Sequence, residues 1–247
     1  MEEAKAQQIQ HMLCVSIDLE SYPAMCRLVD GYENISVSVG VHPNEQGLNE
    51  PDVDELVSLA RNGKVIAIGE TGLDYYRSSG SLDWQRERFR RHIRAAKIAG
   101  KPLIIHTREA RDDTIKVLKE EEADQVGGVF HCFTEDWETA RRVLDLEFFI
   151  SFSGIVTFRN AQSIQEVARM IPEDRFLIET DSPYLAPIPF RGKPNYPFYV
   201  KHVAHRIAEL RGISLERIAE LSSGNFYRLF SAARSWYQDA ISSARSS

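Results

Sequence analysis

Five ionisable side chains stand at or near the ends of short apolar runs: His42 in SVSVGVHP, Glu70 in VIAIGETGLD, His106 in PLIIHTRE, His131 in GVFHCF and Asp181 in FLIETDSP. Side chains alternate along a strand, so Ile66, Ile68 and Glu70 are expected on one face, as are Ile104 with His106, Val129 with His131, and Glu179 with Asp181. If the strands run parallel in a barrel, their C-terminal ends gather at one mouth. Imidazole nitrogens and carboxylate oxygens brought together there form a mixed set suited to divalent metal, with a carboxylate able to bridge two ions. Taken singly, a strand-end histidine is an ordinary hydrogen-bonded side chain; the joint placement is what points to metal. Glu179 is expected to support the ligands from behind.

The elements that must position these groups are legible as alternation. Seven apolar, β-rich runs fall at 12–17, 36–41, 64–70, 102–106, 128–133, 148–154 and 176–181, and helix-like stretches at 52–62, 84–99, 110–122, 136–146 and 161–170 lie between them. Strands alternating with helices imply a parallel sheet with right-handed crossovers, and this many units suggest a closed α/β barrel of the TIM type. Stretches at 198–211, 214–221 and 225–237 read as closing helices. No repeat, low-complexity segment or linker divides the chain, so residues 1–247 are expected to form a single domain.

Composition narrows the setting. With 247 residues, 43% hydrophobic and 27% charged, the chain has the size and apolar content of one barrel. Cys14, Cys26 and Cys132 form neither a CxxC nor an even disulfide framework, which leads to an expectation of reduced thiols and a cytoplasmic location. The polar start MEEAKAQQIQ is unlike a signal peptide, and no apolar run approaches membrane-spanning length. A formal net charge of -6 argues against coating nucleic acid by bulk electrostatics, while a local cationic groove or bound metal can still accept an anionic substrate.

Past Asp181, the segment PIPFRGKPNYP offers Arg191, Lys193 and Asn195 as donors on a proline-limited loop, and arginine matches phosphate or carboxylate in two-pronged geometry. Tyr75, Tyr76 and Phe158 are candidates for stacking bases of a single strand, although packing is the commoner fate of aromatics. His202 and His205 in HVAH lack a nearby acid suited to a zinc protease pattern and read as a solvated helix face. RERFRRHIR (86–94) reads as an exposed helix flank. Cys132 adjoins His131 on the opposite face of its strand and is not expected to act as a nucleophile.

The blocks GVHP, IGETGLDYY, IIHTREA, HCF, ISFSGIVTFRNA, ETDSPYLAP and RGKPN, in this order, resemble the signature blocks of the TatD family of metal-dependent deoxyribonucleases over nearly the whole chain. That resemblance implies a TIM-barrel hydrolase that cuts DNA phosphodiester bonds, single-stranded ends among them, with two divalent ions drawn from Mg, Mn or Zn. It implies Glu70, His106, His131 and Asp181 as metal ligands, with Glu70 bridging and Asp181 also orienting or deprotonating the attacking water. His42, Arg108, Arg191 and Asn195 are the candidates for holding the scissile phosphate.

One family block is missing from the sequence. The family opens with an apolar strand ending in His-x-His, and this chain contains no HxH. The expectation is therefore a barrel lacking its first strand and part of its first helix, with one of the two metal positions weakened and activity impaired. Two other readings stand beside the nuclease: an ester hydrolase acting on aminoacyl-tRNA through the same activated water, and a non-catalytic DNA-binding member.

Overall fold

Each of the seven expected strands forms. The structure, a computed structural model, describes residues 1–46 and 50–233. In chain order the strands are β1 (Met12–Cys14), β2 (Ile35–Val39), β3 (Val65–Asp74), β4 (Leu103–Arg108), β5 (Gly128–Phe130), β6 (Phe149–Phe152) and β7 (Phe176–Ile178). The helices are α1 (Glu2–Ala6), α2 (Tyr22–Val29), α3 (Val53–Leu59), α4 (Asp83–Ala99), α5 (Arg111–Glu120), α6 (Trp137–Leu144), α7 (Gln162–Met170), α8 (Val200–Arg211) and α9 (Leu215–Leu229). Strands alternate with helices throughout, giving an α/β fold of the TIM-barrel type.

Contacts divide the chain into two units that are discontinuous in sequence. Of the described residues, one comprises 11–46, 50–128 and 227–233, the other Met1–Gln10 and Val129–Phe226. In the first, β1 pairs with β2, β2 with β3 and β3 with β4, all parallel. In the second, β5 pairs with β6 and β6 with β7, again parallel. Both faces of the central strands are covered, as parallel sheets require: all ten residues of β3 and all four of β6 are buried.

Local sequence explains where the helices begin. Asp52 and Asp136 precede α3 and α6, and their carboxylates accept the backbone N–H of Glu55 and Thr139, satisfying donors that a first turn leaves open. α2, which lies outside the helical stretches named above, has Pro23 in its first turn, where the missing N–H costs nothing. Gly100 ends α4 and Gly212 ends α8 in the left-handed conformation. On α4, Phe89, Ile93 and Ala96 are fully buried; truncating a residue such as Phe89 to alanine costs about 3–5 kcal/mol.

Two expectations need correction. The stretches at 214–221 and 225–237 form one helix up to Leu229, because Asn225 is buried and donates through Nδ2 to the carbonyls of Glu173 and Phe176, both at 2.9 Å. That anchoring outweighs the cost of Gly224 inside a helix, about 1 kcal/mol. Residues 234–237 lie outside the described part. Second, strict alternation along β3 is interrupted: Ile68 pairs with Leu103 and Thr71 with Ile105, so the register slips at Gly69 and Glu70. A bulge re-aims the side chain it carries, here Glu70.

Gly72 makes the close β3–β4 approach possible. Its φ is 134°, and a Cβ there would lie 2.0 Å from the carbonyl oxygen of His106. Gly72→Ala is therefore expected to lower stability by at least about 2 kcal/mol and to displace His106. Thermal unfolding and a divalent-metal titration check this, and an unchanged melting temperature with unchanged metal affinity would contradict it.

Candidate metal centre

The first unit gathers His42, Glu70 and His106. Each offers one ligand atom, and these atoms lie within 4.8 Å of one another. Glu70 leaves the bulge of β3 with its backbone N–H bonded to the carbonyl of Ser16 at 2.9 Å, and it is 7% exposed. His106, on β4, faces Glu70 Oε1 with Nδ1 at 3.1 Å and Asp74 Oδ2 with Nε2 at 3.1 Å.

Asp74 organises this group. It is 1% exposed, and its two oxygens accept four hydrogen bonds: Oδ1 from the backbone N–H groups of Tyr76 and Arg77, Oδ2 from Asn44 Nδ2 at 2.8 Å and from His106. Burial pushes the carboxyl pKa up, and the bonds from His106, Asn44 and the Arg77 N–H outweigh it, holding the group well below the usual carboxylate range. Asp74 is therefore an anion that can only accept, which assigns the Nε2 proton of His106 to it and leaves Nδ1 as a lone pair. This is the carboxylate–histidine arrangement that orients a metal-binding imidazole.

The donor set fits a cation. His106 Nδ1 and Glu70 Oε1 are two acceptors 3.1 Å apart, and Asn44 Oδ1 is buried with no hydrogen-bond partner. Nitrogen with carboxylate oxygen suits a divalent ion of the zinc or manganese kind. His42 differs from the other two. Its Nδ1 accepts the backbone N–H of Asn44 at 3.0 Å, so the proton of the neutral ring belongs on Nε2, which lies 3.3 Å from Glu70 Oε1 and 3.4 Å from His106 Nδ1. Held in that way, His42 turns Nε2 toward Glu70 and His106.

The second unit holds His131 and Asp181. His131 is the residue after β5, with Nδ1 3.3 Å from Glu179 Oε1. Asp181 follows β7 by three residues and adopts φ 58°, a left-handed turn that ends the extended run. Cys132 Sγ donates to Ser153 Oγ at 3.2 Å, and burial, with Glu179 and Asp181 adding to it, pushes its thiol up to about 12. A thiol that stays protonated is no nucleophile.

The candidate phosphate holders separate into two kinds. Arg108 lies over the ring of Tyr76 at 3.8 Å, and Arg191 over Phe158 at 4.4 Å. Stacking covers the flat face of a guanidinium while its N–H donors stay in the plane, so both remain suited to phosphate. Asn195 is a correction. It is 3% exposed, its Nδ2 donates to the carbonyls of Thr180 and Tyr184 at 2.7 and 2.6 Å, and its Oδ1 accepts the N–H of Tyr196 at 2.9 Å. The amide is spent on the backbone, and Asn195 braces the loop after Asp181. Tyr75 is likewise engaged, its hydroxyl donating to Asp113 Oδ2 at 2.6 Å, whereas Tyr76 is 57% exposed.

Of the remaining expectations, a solvated face holds for His205, which is exposed, while His202 is half-buried against the rings of Phe190 and Tyr199. The exposed flank expected at 86–94 is wrong for two positions: Arg88 and His92 are buried, at 2% and 0% exposed. Their spacing with Phe89 and Ile93 places them on the inward side of α4, a signal the charge pattern masked. Asp74 and Asn44 were also missed, although the sequence GLDYY places an acid four residues after Glu70.

Asp74→Asn is expected to weaken Mn²⁺ affinity by about 10–100-fold, measured by calorimetric titration. Because folding lowers the Asp74 pKa, its contribution to stability is fully present above the unfolded carboxylate value of about 4 and is lost as pH falls below it. The acid limb of the stability curve should accordingly be flatter in Asp74→Asn than in the natural chain.

Comparison with known proteins places the chain in a family. A family model described as TatD related DNase matches residues 1–231. The metal-dependent hydrolase YcfH of Escherichia coli (strain K12) is 49% identical over 229 residues, covering 92% of this chain and 86% of that protein. YabD of Bacillus subtilis (strain 168), also named a metal-dependent hydrolase, is 43% identical over 231 residues, covering 93% and 91%. Among solved structures, the TatD homologue YjjV of Escherichia coli superimposes with a TM-score of 0.87 at 26% identity, covering 93% of this chain and 90% of that one. No helix among the described residues is long and apolar enough to cross a membrane. The matched family model, the two bacterial relatives and the shared architecture together establish that this chain belongs to the TatD family of metal-dependent hydrolases.

Proposed function

We propose that this chain is a deoxyribonuclease that hydrolyses phosphodiester bonds at single-stranded DNA ends with the help of divalent metal. The observation that carries this reading is the group of His42, Glu70 and His106, whose ligand atoms lie within 4.8 Å of one another with His106 braced by Asp74, a set suited to a divalent cation. Bound there, a divalent ion supplies Lewis-acid polarisation of a phosphoryl oxygen and a water of lowered pKa. Glu70 and His106 would hold it; His131 and Asp181 are the further ligands that the family resemblance implies. His42 donates its Nε2–H to a phosphoryl oxygen. Asp181 takes the proton of the attacking water.

Charge distribution favours an anionic polymer as substrate. From Ser182 to Ala208 the chain carries Arg191, Lys193, Lys201 and Arg206 and no Asp or Glu, although its formal net charge is -6. Tyr184 and Tyr196 in the same segment are 70% and 48% exposed. Cations interleaved with exposed rings suit a single strand, whose backbone follows the charges while its bases stack on the aromatics. Arg108 on Tyr76 and Arg191 on Phe158 add guanidinium groups already fixed in place.

Two experiments test this. End-labelled single-stranded DNA incubated with the chain and Mn²⁺ or Mg²⁺ should be cut, and the cutting should vanish with EDTA or in Glu70→Ala and fall at least about a hundredfold in Asp181→Asn. Cleavage of an aminoacyl-tRNA ester with intact DNA would overturn the nuclease reading, as would metal-independent DNA binding without turnover. Separately, Arg191→Ala should weaken binding of a short single strand and reduce the slope of log affinity against log salt by about 0.7. An unchanged slope would remove Arg191 from the phosphate contacts.

A further inference from the structure

Helix α4 carries three buried polar residues at i, i+3 and i+7: Gln85, Arg88 and His92, at 0%, 2% and 0% exposed. They share a side of the helix with the packing residues Phe89 and Ile93. Burying a guanidinium and two polar rings or amides is unfavourable unless each donor and acceptor is matched. Here the partners fall in two segments of chain. Gln85 Oε1 accepts the N–H of Asp74 at 3.0 Å, while its Nε2 donates to the Asp74 carbonyl at 3.1 Å and to Ser78 Oγ at 2.7 Å. Arg88 donates to the carbonyls of His42 and Glu45 at 3.0 and 2.7 Å and forms a two-pronged pair with Glu50. His92 Nε2 accepts the N–H of Val41 at 3.0 Å, and its Nδ1–H donates to the Arg88 carbonyl at 2.8 Å.

We propose that this polar stripe of α4 is the positioning scaffold of the metal centre: Gln85 clamps the backbone of Asp74, and Arg88 with His92 clamps the backbone on both sides of His42. A helix packed only to fill the core would need apolar residues at these three positions. Gln85 instead bonds both backbone groups of Asp74, Arg88 bonds the carbonyls of His42 and Glu45, and His92 bonds the N–H of Val41, each on or next to His42, Asn44 or Asp74. Gln85 acts through Asp74, whose Oδ2 holds His106 Nε2 and so aims Nδ1. Arg88 and His92 act through the turn in which Asn44 N–H fixes the His42 ring. The two arms therefore have different readouts: the Gln85 arm governs metal affinity, and the Arg88 arm governs substrate contact through His42.

The test uses the full chain with Gln85→Leu, Arg88→Lys and, as a packing control on the same helix, Ile93→Val. Co²⁺ affinity is read from the visible spectrum on titration into metal-free protein, beside the melting temperature of each variant. Gln85→Leu should weaken Co²⁺ binding about tenfold or more, whereas Ile93→Val, which also loses stability, should leave it unchanged. Should Gln85→Leu fail to fold, Gln85→Glu keeps the acceptor for the Asp74 N–H, loses the Nε2 donor and should give an intermediate loss. Arg88→Lys should bind Co²⁺ within about twofold of the natural chain and raise KM for a short single strand with kcat less affected. This second arm rests on the proposed nuclease activity, and absence of turnover in the natural chain would count against that activity while the Co²⁺ arm still reports on the scaffold. Equal Co²⁺ affinity in Gln85→Leu and the natural chain would overturn the proposal, as would a loss in Ile93→Val matching that in Gln85→Leu.

Discussion

The buried Asp74 carboxylate is the constraint on which the centre depends. An anion out of water is tolerated only when its lone pairs are occupied, and four donors occupy them here: two backbone N–H groups, the amide of Asn44 and the imidazole of His106. Each donor is fixed by the requirement to satisfy the acid. The turn after β3 must fold back over Oδ1, Asn44 must reach in from beyond β2, and His106 must point its Nε2 inward from β4. His106 Nδ1 then faces a Glu70 oxygen at 3.1 Å, and nitrogen beside carboxylate oxygen is a pairing that suits a divalent cation.

The strands meet these demands by departing from regularity at chosen points. A register slip at Gly69 and Glu70 turns the glutamate toward its partners, and Gly72 lets β4 approach so closely that no side chain fits. In the second unit Asp181 ends β7 in a left-handed turn. Regular strands build the wall, and irregular ones aim the chemistry.

Much of this was legible in the sequence, for identifiable reasons. Strand positions followed from short β-branched runs, and helix starts from Asp52 and Asp136. The groups at strand ends, Glu70 and His106 above all, stood out because an ionisable residue closing an apolar run has no packing role there. Asp74 and Asn44 escaped because their function depends on which donors surround them, a property of the fold in three dimensions. Arg88 and His92 escaped because charge suggests solvent, and only the structure supplies the backbone carbonyls and N–H groups that let them be buried. Asn195 was read as a free donor for the converse reason: its partners lie up to fifteen residues away along the chain. The join at Gly224 was hidden by local propensity, which the anchoring of Asn225 overrides.

The bracing of the loop after Asp181 has an entropic consequence. Asn195 ties the carbonyls of Thr180 and Tyr184 to the N–H of Tyr196, and Ile188 N–H is held by Thr157 Oγ1 at 2.9 Å. A segment cross-linked at four points has already given up its conformational freedom during folding. A ligand that settles on its exposed rings and cations meets a surface that need not be ordered again, so more of each contact is retained as affinity.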